Sequence, residues 1–282
     1  MRQNLETIIV KTLNNDVDWL KEQAIDVKQA GDYFVLNYAM SAAGNKNEFN
    51  KITRGLVFDT HGRVVSFPFT RFFNYGEKDA EISGDISDCD IIEKLDGTLV
   101  GVSFINNFPS DDILMWHTRR LLSVSPEDRA LTIRLFDGTQ VSLLQEIEKY
   151  IKQMTLTSEL WSYTLMFEAI LSTRPVVTSY KKEQLGLYLI GARNLSAFEE
   201  LPEKELDILA IKINAKRPRV FNTVDDYEKI IEMMSSFPDD FEGFVVRSKS
   251  TGKRVKIKKD TYVKRHRLLD KLNFKNLISL WF

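Results

Sequence analysis

Between Tyr33 and His117 the apolar residues come in short runs of four to eight, and this fragmentation limits the fold more than any other feature of the sequence. The runs are Tyr33 to Tyr38, Gly55 to Asp59, Val64 to Phe69, Ile91 to Lys94, Thr98 to Ile105 and Ile113 to His117, with Thr60-His61-Gly62-Arg63 as a turn between the second and third. Runs of this length, rich in Val, Ile, Phe and Thr and broken by turn residues, read as strands. Helical spacing enters later. Pro126 to Phe136 and Gln140 to Met154 place Leu, Ile and Val at helical intervals, with Thr139 as a cap for the second. Tyr163 to Leu171 and Leu185 to Ala192 read as buried strands, and Thr223 to Met234 as a capped helix with Val224, Tyr227, Ile230, Ile231 and Met234 on one face. Glu242 to Ser248 and Arg254 to Lys259 flank the turn Ser250-Thr251-Gly252, and in the second strand Lys256 and Lys258 face the same way. From Tyr262 onward a helix is expected, with Leu268, Leu269 and Leu272 inward and the apolar end Leu280-Trp281-Phe282 docked on a surface. The pattern is α+β: antiparallel sheets with helices packed outside. No repeat or Pro/Gly-rich linker divides the chain, so one main domain over 1–262 is expected, followed by a short helical extension over 263–282.

Composition narrows the class. With 43% hydrophobic and 28% charged residues the chain is of ordinary globular type. Cys89 is its only cysteine, so an intrachain disulfide and a multi-cysteine zinc site are excluded and a reducing, cytoplasmic setting is expected. The first apolar stretch, Ile8-Ile9-Val10, is too short for a signal peptide or a span, so no membrane partner is expected. Net charge is −1 overall, yet Arg247 to Lys271 holds eleven Lys or Arg and two Asp, a local charge of +9. That segment suits a polyanion, although a solvated strand and helix face has the same composition.

Chemistry concentrates at four places. Glu93-Lys94-Leu95-Asp96-Gly97-Thr98 sets a lysine at the end of an apolar strand before a tight turn. A lysine acts as a nucleophile only after losing its proton, which requires desolvation or neighbouring cations. A Lys-any-Asp-Gly string arises by chance in roughly one chain in fifteen of this size, so alone it is weak. Glu168 is the single carboxylate within Leu165 to Leu171, and a carboxylate so placed needs a metal, a ligand or a partner ion. Glu242 opens the strand Gly243 to Val246 in the same manner. Two carboxylates, one candidate nucleophile and the cations Lys256 and Lys258 form the set that nucleotidyl transfer from a triphosphate requires. The histidines His61, His117 and His266 show no metal-ligand spacing.

In chain order, Lys94-Leu95-Asp96-Gly97, Phe167-Glu168, Glu242-Gly243-Phe244-Val245-Val246 and Val255-Lys256-Ile257-Lys258 resemble motifs I, III, IV and V of the covalent nucleotidyltransferases. These are the ATP-dependent DNA ligases, RNA ligases and mRNA capping enzymes. Thr53-Arg54-Gly55-Leu56, Arg71-Phe72-Phe73-Asn74 and Tyr262-Val263 after Lys258 are most similar to the type-one phage tRNA-repair RNA ligases. The resemblance covers about Tyr38 to Tyr262. It implies a covalent nucleotidyltransferase (ATP-grasp-like ligase) fold over 1–262, and 24 residues after Lys258 leave no room for an OB domain. It implies Lys94 as the residue that carries AMP, and ATP contacts from Tyr38, Arg54, Arg71, Phe73, Asp96, Gly97, Glu168, Lys256 and Lys258. Glu168 and Glu242 would hold Mg²⁺, for which Mn²⁺ can substitute, and Tyr262 would support the site. The partner implied is RNA with 5′-phosphate and 3′-hydroxyl ends, prepared by an end-healing polynucleotide kinase-phosphatase, in the host cytoplasm if the chain is phage-encoded. Arg71 and Arg119 stand where the family commonly has lysine, and Leu99 where DNA ligases and capping enzymes usually have arginine. A non-catalytic RNA-end-binding protein and an adenylyltransferase that activates ends without sealing are the other readings.

Overall fold

The computed structural model describes residues 1–80, 82, 86–105, 113–134, 138–171, 177–221 and 224–271. The chain divides into two compact units. The first comprises Met1–Arg71, Thr98–Ala169 and Gly186–Arg217, and the second Phe72–Gly97, Ile170–Leu185 and Pro218–Phe282. The chain therefore passes from one unit to the other directly after Arg71, three residues after Lys94 and one residue after Glu168.

The first unit contains two four-stranded sheets. One is a meander of Ile25–Ala30, Tyr33–Tyr38, Leu56–Asp59 and Val64–Ser66. The helix Arg2–Leu13 covers it, burying Leu5, Ile8 and Ile9 against Leu36, Leu56 and Phe58. The other runs Gly186–Asn194, Tyr163–Ile170, Thr98–Ile105, Ile113–His117. Its Gly101 is required by packing: a Cβ there would lie 2.2 Å from His117 Nε2. His117 is buried between Ser66 Oγ at 2.7 Å and the Thr118 carbonyl at 2.8 Å, and burial holds its pKa down at about 4. This histidine is thus a neutral core residue.

The second unit is built on a five-stranded sheet ordered Val220–Phe221, Cys89–Lys94, Gly243–Ser248, Arg254–Lys258, Phe73–Asn74. All pairs are antiparallel except the last. Ile91, Phe244, Val246, Val255 and Ile257 pack against Tyr227, Ile230 and Met234 of the helix Tyr227–Ser235. Burying these side chains supplies about 25 cal/mol for each Å² of apolar surface removed from water.

Several elements differ from expectation. The helix begun at Pro126 ends at Ala130, and Thr132–Arg134 pairs as a strand with Gln140–Ser142. The β-branched Thr132 and Val141 favour that pairing. The following helix is therefore Leu143–Ile151, capped by Ser142 Oγ accepting from Gln145 N–H, and not by Thr139. Asp226 caps Tyr227–Ser235, while Thr223 lies outside the described residues. The helix Asp260–Lys271 forms, but Leu268 and Leu269 are 58% and 51% exposed. Its buried anchor is Tyr262, one turn into the helix. Leu272 and Leu280 to Phe282 lie outside the described residues. The helices Arg2–Leu13, Val17–Glu22 and Glu203–Ile213 add to the elements expected from the sequence. Among the described residues no helix is long and apolar enough to cross a membrane.

Candidate active site

The three central strands of the second unit bring Lys94, Glu242 and Lys258 together. Register places Gly243 opposite Lys94 on one side and opposite Lys258 on the other. The preceding residue, Glu242, then reaches both: its Oε2 is 2.8 Å from Lys94 Nζ and its Oε1 is 2.8 Å from Lys258 Nζ. The Glu242 side chain is only 4% exposed, so the carboxylate needs these partners. Gly243 makes the approach possible. At φ +141° a Cβ would lie 2.0 Å from the Ile257 carbonyl oxygen, so no other residue fits without parting the strands.

Asp96, two residues beyond Lys94, fastens the following turn. Its Oδ2 accepts from the Val177 and Thr178 N–H groups at 2.8 and 2.9 Å, and its Oδ1 accepts from the Tyr262 hydroxyl at 2.8 Å. The Asp96 N–H donates to the Tyr180 hydroxyl at 2.8 Å. Burial first, then the negative charges of Glu242 and Asp96, raises the Tyr262 pKa, so this phenol remains a donor. The ring also lies 5.4 Å from Lys258 Nζ. Lys256 Nζ is 4.9 Å from the Phe72 ring, and Phe73 is buried in the ladder opposite Val255. Gly97 closes the segment that carries Lys94.

In the first unit Tyr38 sits under two guanidinium groups, Arg71 at 4.3 Å and Arg119 at 4.6 Å from the ring centroid. Arg119 donates to Asn37 Oδ1 through Nε and Nη2 at 3.3 and 3.2 Å, and Arg71 donates to the Ala42 carbonyl at 3.0 Å. Desolvation lowers the Arg119 pKa; Tyr38 opposes that shift, and the positive charges of Arg54, Arg120 and Arg71 add to it. This is a concentration of positive charge on an aromatic base. Glu168 lies on Tyr163–Ile170, paired with Leu99, and is half-buried rather than enclosed. Among the described residues no group of three or more His, Cys, Asp and Glu forms a metal cluster.

The structure brings Lys94, Glu242 and Lys258 together in the second unit, and Tyr38, Arg71 and Arg119 together in the first, whereas the sequence reading assigned Tyr38, Arg54, Arg71, Lys256 and Lys258 to one ATP site. That reading missed Asn37, the segment Val177 to Tyr180 and the fastening role of Asp96. The partners of Asp96 lie more than eighty residues away along the chain, so no local signal marks them.

The mixed α+β architecture, built largely of antiparallel sheets, is that of the nucleotidyltransferase fold of the ATP-dependent ligases. A solved structure of an archaeal ATP-dependent RNA ligase is similar at a TM-score of 0.60 and 12% identity, covering 95% of this chain and 71% of that one; this likeness carries the fold. The chain belongs to the RNA ligase family, whose sequence profile matches residues 52–262. An RNA ligase of Rhodothermus phage RM378 is 24% identical over 324 aligned positions, covering 94% of this chain and 71% of the relative. A protein of Autographa californica nuclear polyhedrosis virus, bearing the name of a bifunctional polynucleotide kinase/RNA ligase, is 25% identical over 248 positions, and this chain spans 34% of its length.

Proposed function

We propose that the protein is an ATP-dependent RNA ligase that joins a 5′-phosphate to a 3′-hydroxyl through a lysyl-AMP and an RNA-adenylate. The observation that carries this reading is the ion-paired group of Lys94 and Lys258, on two strands that flank Gly243–Ser248, with Glu242 directly before that strand, within a chain of the RNA ligase family. Lys94 leaves Glu242, gives up a proton and attacks the α-phosphorus of ATP; an N–P bond forms, the bond to the β-phosphate oxygen breaks and pyrophosphate departs. A 5′-phosphate oxygen of RNA then attacks the same phosphorus, and the N–P bond breaks as Lys94 regains its proton. Finally the 3′-hydroxyl attacks the activated 5′-phosphorus, loses its proton and expels AMP.

Lys258 stays on Glu242 when Lys94 leaves, so the carboxylate is not stranded. Lys256, Lys258, Arg54 and Arg71 are assigned to ATP phosphates, Tyr38 and Phe73 to the nucleotide, and Glu168 to its ribose. Asp96 and Gly97 hold the turn that aims Lys94. Mg²⁺ is commonly bound by one or two carboxylates together with substrate phosphates, and Glu168 of the first unit and Glu242 of the second are each assigned as a donor of that kind. An ion at Glu242 has to take an oxygen now held by a lysine. Once bound, it would draw charge from the phosphates. RNA ends prepared by a kinase-phosphatase in the cytoplasm fit the substrate required; the name of the viral relative and the lone buried Cys89 support this setting.

The test is sealing. With ATP and Mg²⁺, a 5′-labelled RNA offering a 3′-hydroxyl should be converted to joined or circular products whose label resists phosphatase. Label that remains phosphatase-sensitive while RNA is still bound would replace the ligase with an RNA-end-binding protein.

A further inference from the structure

Next to the Glu242 ion pairs, the second unit holds a groove of about 790 Å³ between Arg254–Lys258, the helix Asp260–Lys271 and the helix Tyr227–Ser235. Its lining carries four cationic side chains, Lys256, Lys258, Lys259 and Arg267, against one carboxylate, Asp260. Tyr75 stands at its rim. The Tyr75 N–H donates to the Lys256 carbonyl at 2.8 Å, which ties the ring to the strand that carries the lysines. One face of the ring stacks on Tyr227, with centroids 4.1 Å apart and planes 20° from parallel. Tyr227 is itself fixed: it is buried, and its hydroxyl donates to the Ile82 carbonyl at 3.2 Å. Tyr75 nevertheless remains 42% exposed.

A flat aromatic ring held rigidly at the edge of a cationic groove is the arrangement that single-stranded nucleic acid uses. A splayed base stacks on the ring while its phosphates follow the cations. An acidic peptide would engage the cations but leave the ring face unused, and a duplex keeps its base faces internal. Lys258 both lines the groove and shares Glu242 with Lys94, so a strand lying here brings its terminus toward the residues assigned to chemistry.

We propose that Tyr75 is a base-stacking platform that holds the terminal nucleotides of single-stranded RNA in the groove lined by Lys256, Lys258 and Arg267. Taking RNA as the ligand rests on the ligase reading above.

The test is binding of a fluorescent, 5′-phosphorylated single-stranded RNA to the full chain without ATP, followed by polarisation. Tyr75→Ala should weaken binding by about tenfold or more, and Tyr75→Trp should restore it. Binding of a blunt RNA duplex should not respond to Tyr75→Ala. Arg267→Ala should lower the slope of log affinity against log salt by about one. Wild-type affinity in Tyr75→Ala, equal losses in the Ala and Trp variants, a duplex that depends equally on Tyr75, or an unchanged salt slope in Arg267→Ala would each overturn the assignment. Because ATP is omitted, the two readings fail separately. A protein that binds through Tyr75 but never seals loses only the ligase reading, and a sealing enzyme indifferent to Tyr75 loses only this one.

Discussion

In the second unit one buried carboxylate, Glu242, lies between two ammonium groups at 2.8 Å each, whereas in the first unit Arg71 and Arg119 crowd the Tyr38 ring with the Asn37 amide and the Ala42 carbonyl among their acceptors. The first arrangement is closed by the protein's own charges, so anything that uses Lys94 must open it. The second keeps positive charge concentrated, so an anion arriving there relieves repulsion among Arg54, Arg71, Arg119 and Arg120. The two centres should therefore differ in how much stability is lost when a charge is removed.

The largest effect is expected at the closed centre. Glu242→Ala leaves Lys94 and Lys258 facing each other without their carboxylate, and loss of a buried partner should cost about 2–4 kcal/mol of stability, read as a lowered urea midpoint. A midpoint equal to wild type would show that the ion pairs hold little together.

A smaller effect is expected at the cationic centre. Arg119→Ala removes a contact to Tyr38 but also a repulsive charge, so its stability change should stay within about 1 kcal/mol. The difference should emerge with anions. Inorganic triphosphate should raise the melting temperature of wild type more than that of Arg119→Ala. Equal shifts would remove the anion-binding role, and a large loss of stability without anion would make the arginine a structural brace, inverting the comparison.

How much of this was legible follows from the range of each interaction. The hairpin Gly243–Ser248 with Arg254–Lys258 is local, alternating and joined by a short turn, so the common face of Lys256 and Lys258 could be read directly. Lys94 was marked by the apolar strand before it and the Asp96-Gly97 turn after it. Pro126 to Met154 misled because short apolar runs satisfy helix and strand spacing equally, and the pairing of Thr132–Arg134 with Gln140–Ser142 decided the matter. Leu268 and Leu269 fit a helical period, but a period does not say which face is covered, and Tyr262 took the anchoring position. The fastening of Asp96 by Val177, Thr178 and Tyr262 depends on tertiary approach alone.

Lys94 is the residue proposed to carry AMP. The purified protein should be incubated with α-labelled ATP, Mg²⁺ and pyrophosphatase, denatured, and compared with Lys94→Ala for label retained on the chain. Label on wild type that is lost in Lys94→Ala is the result expected; no label on wild type, or equal label on both proteins, would contradict it.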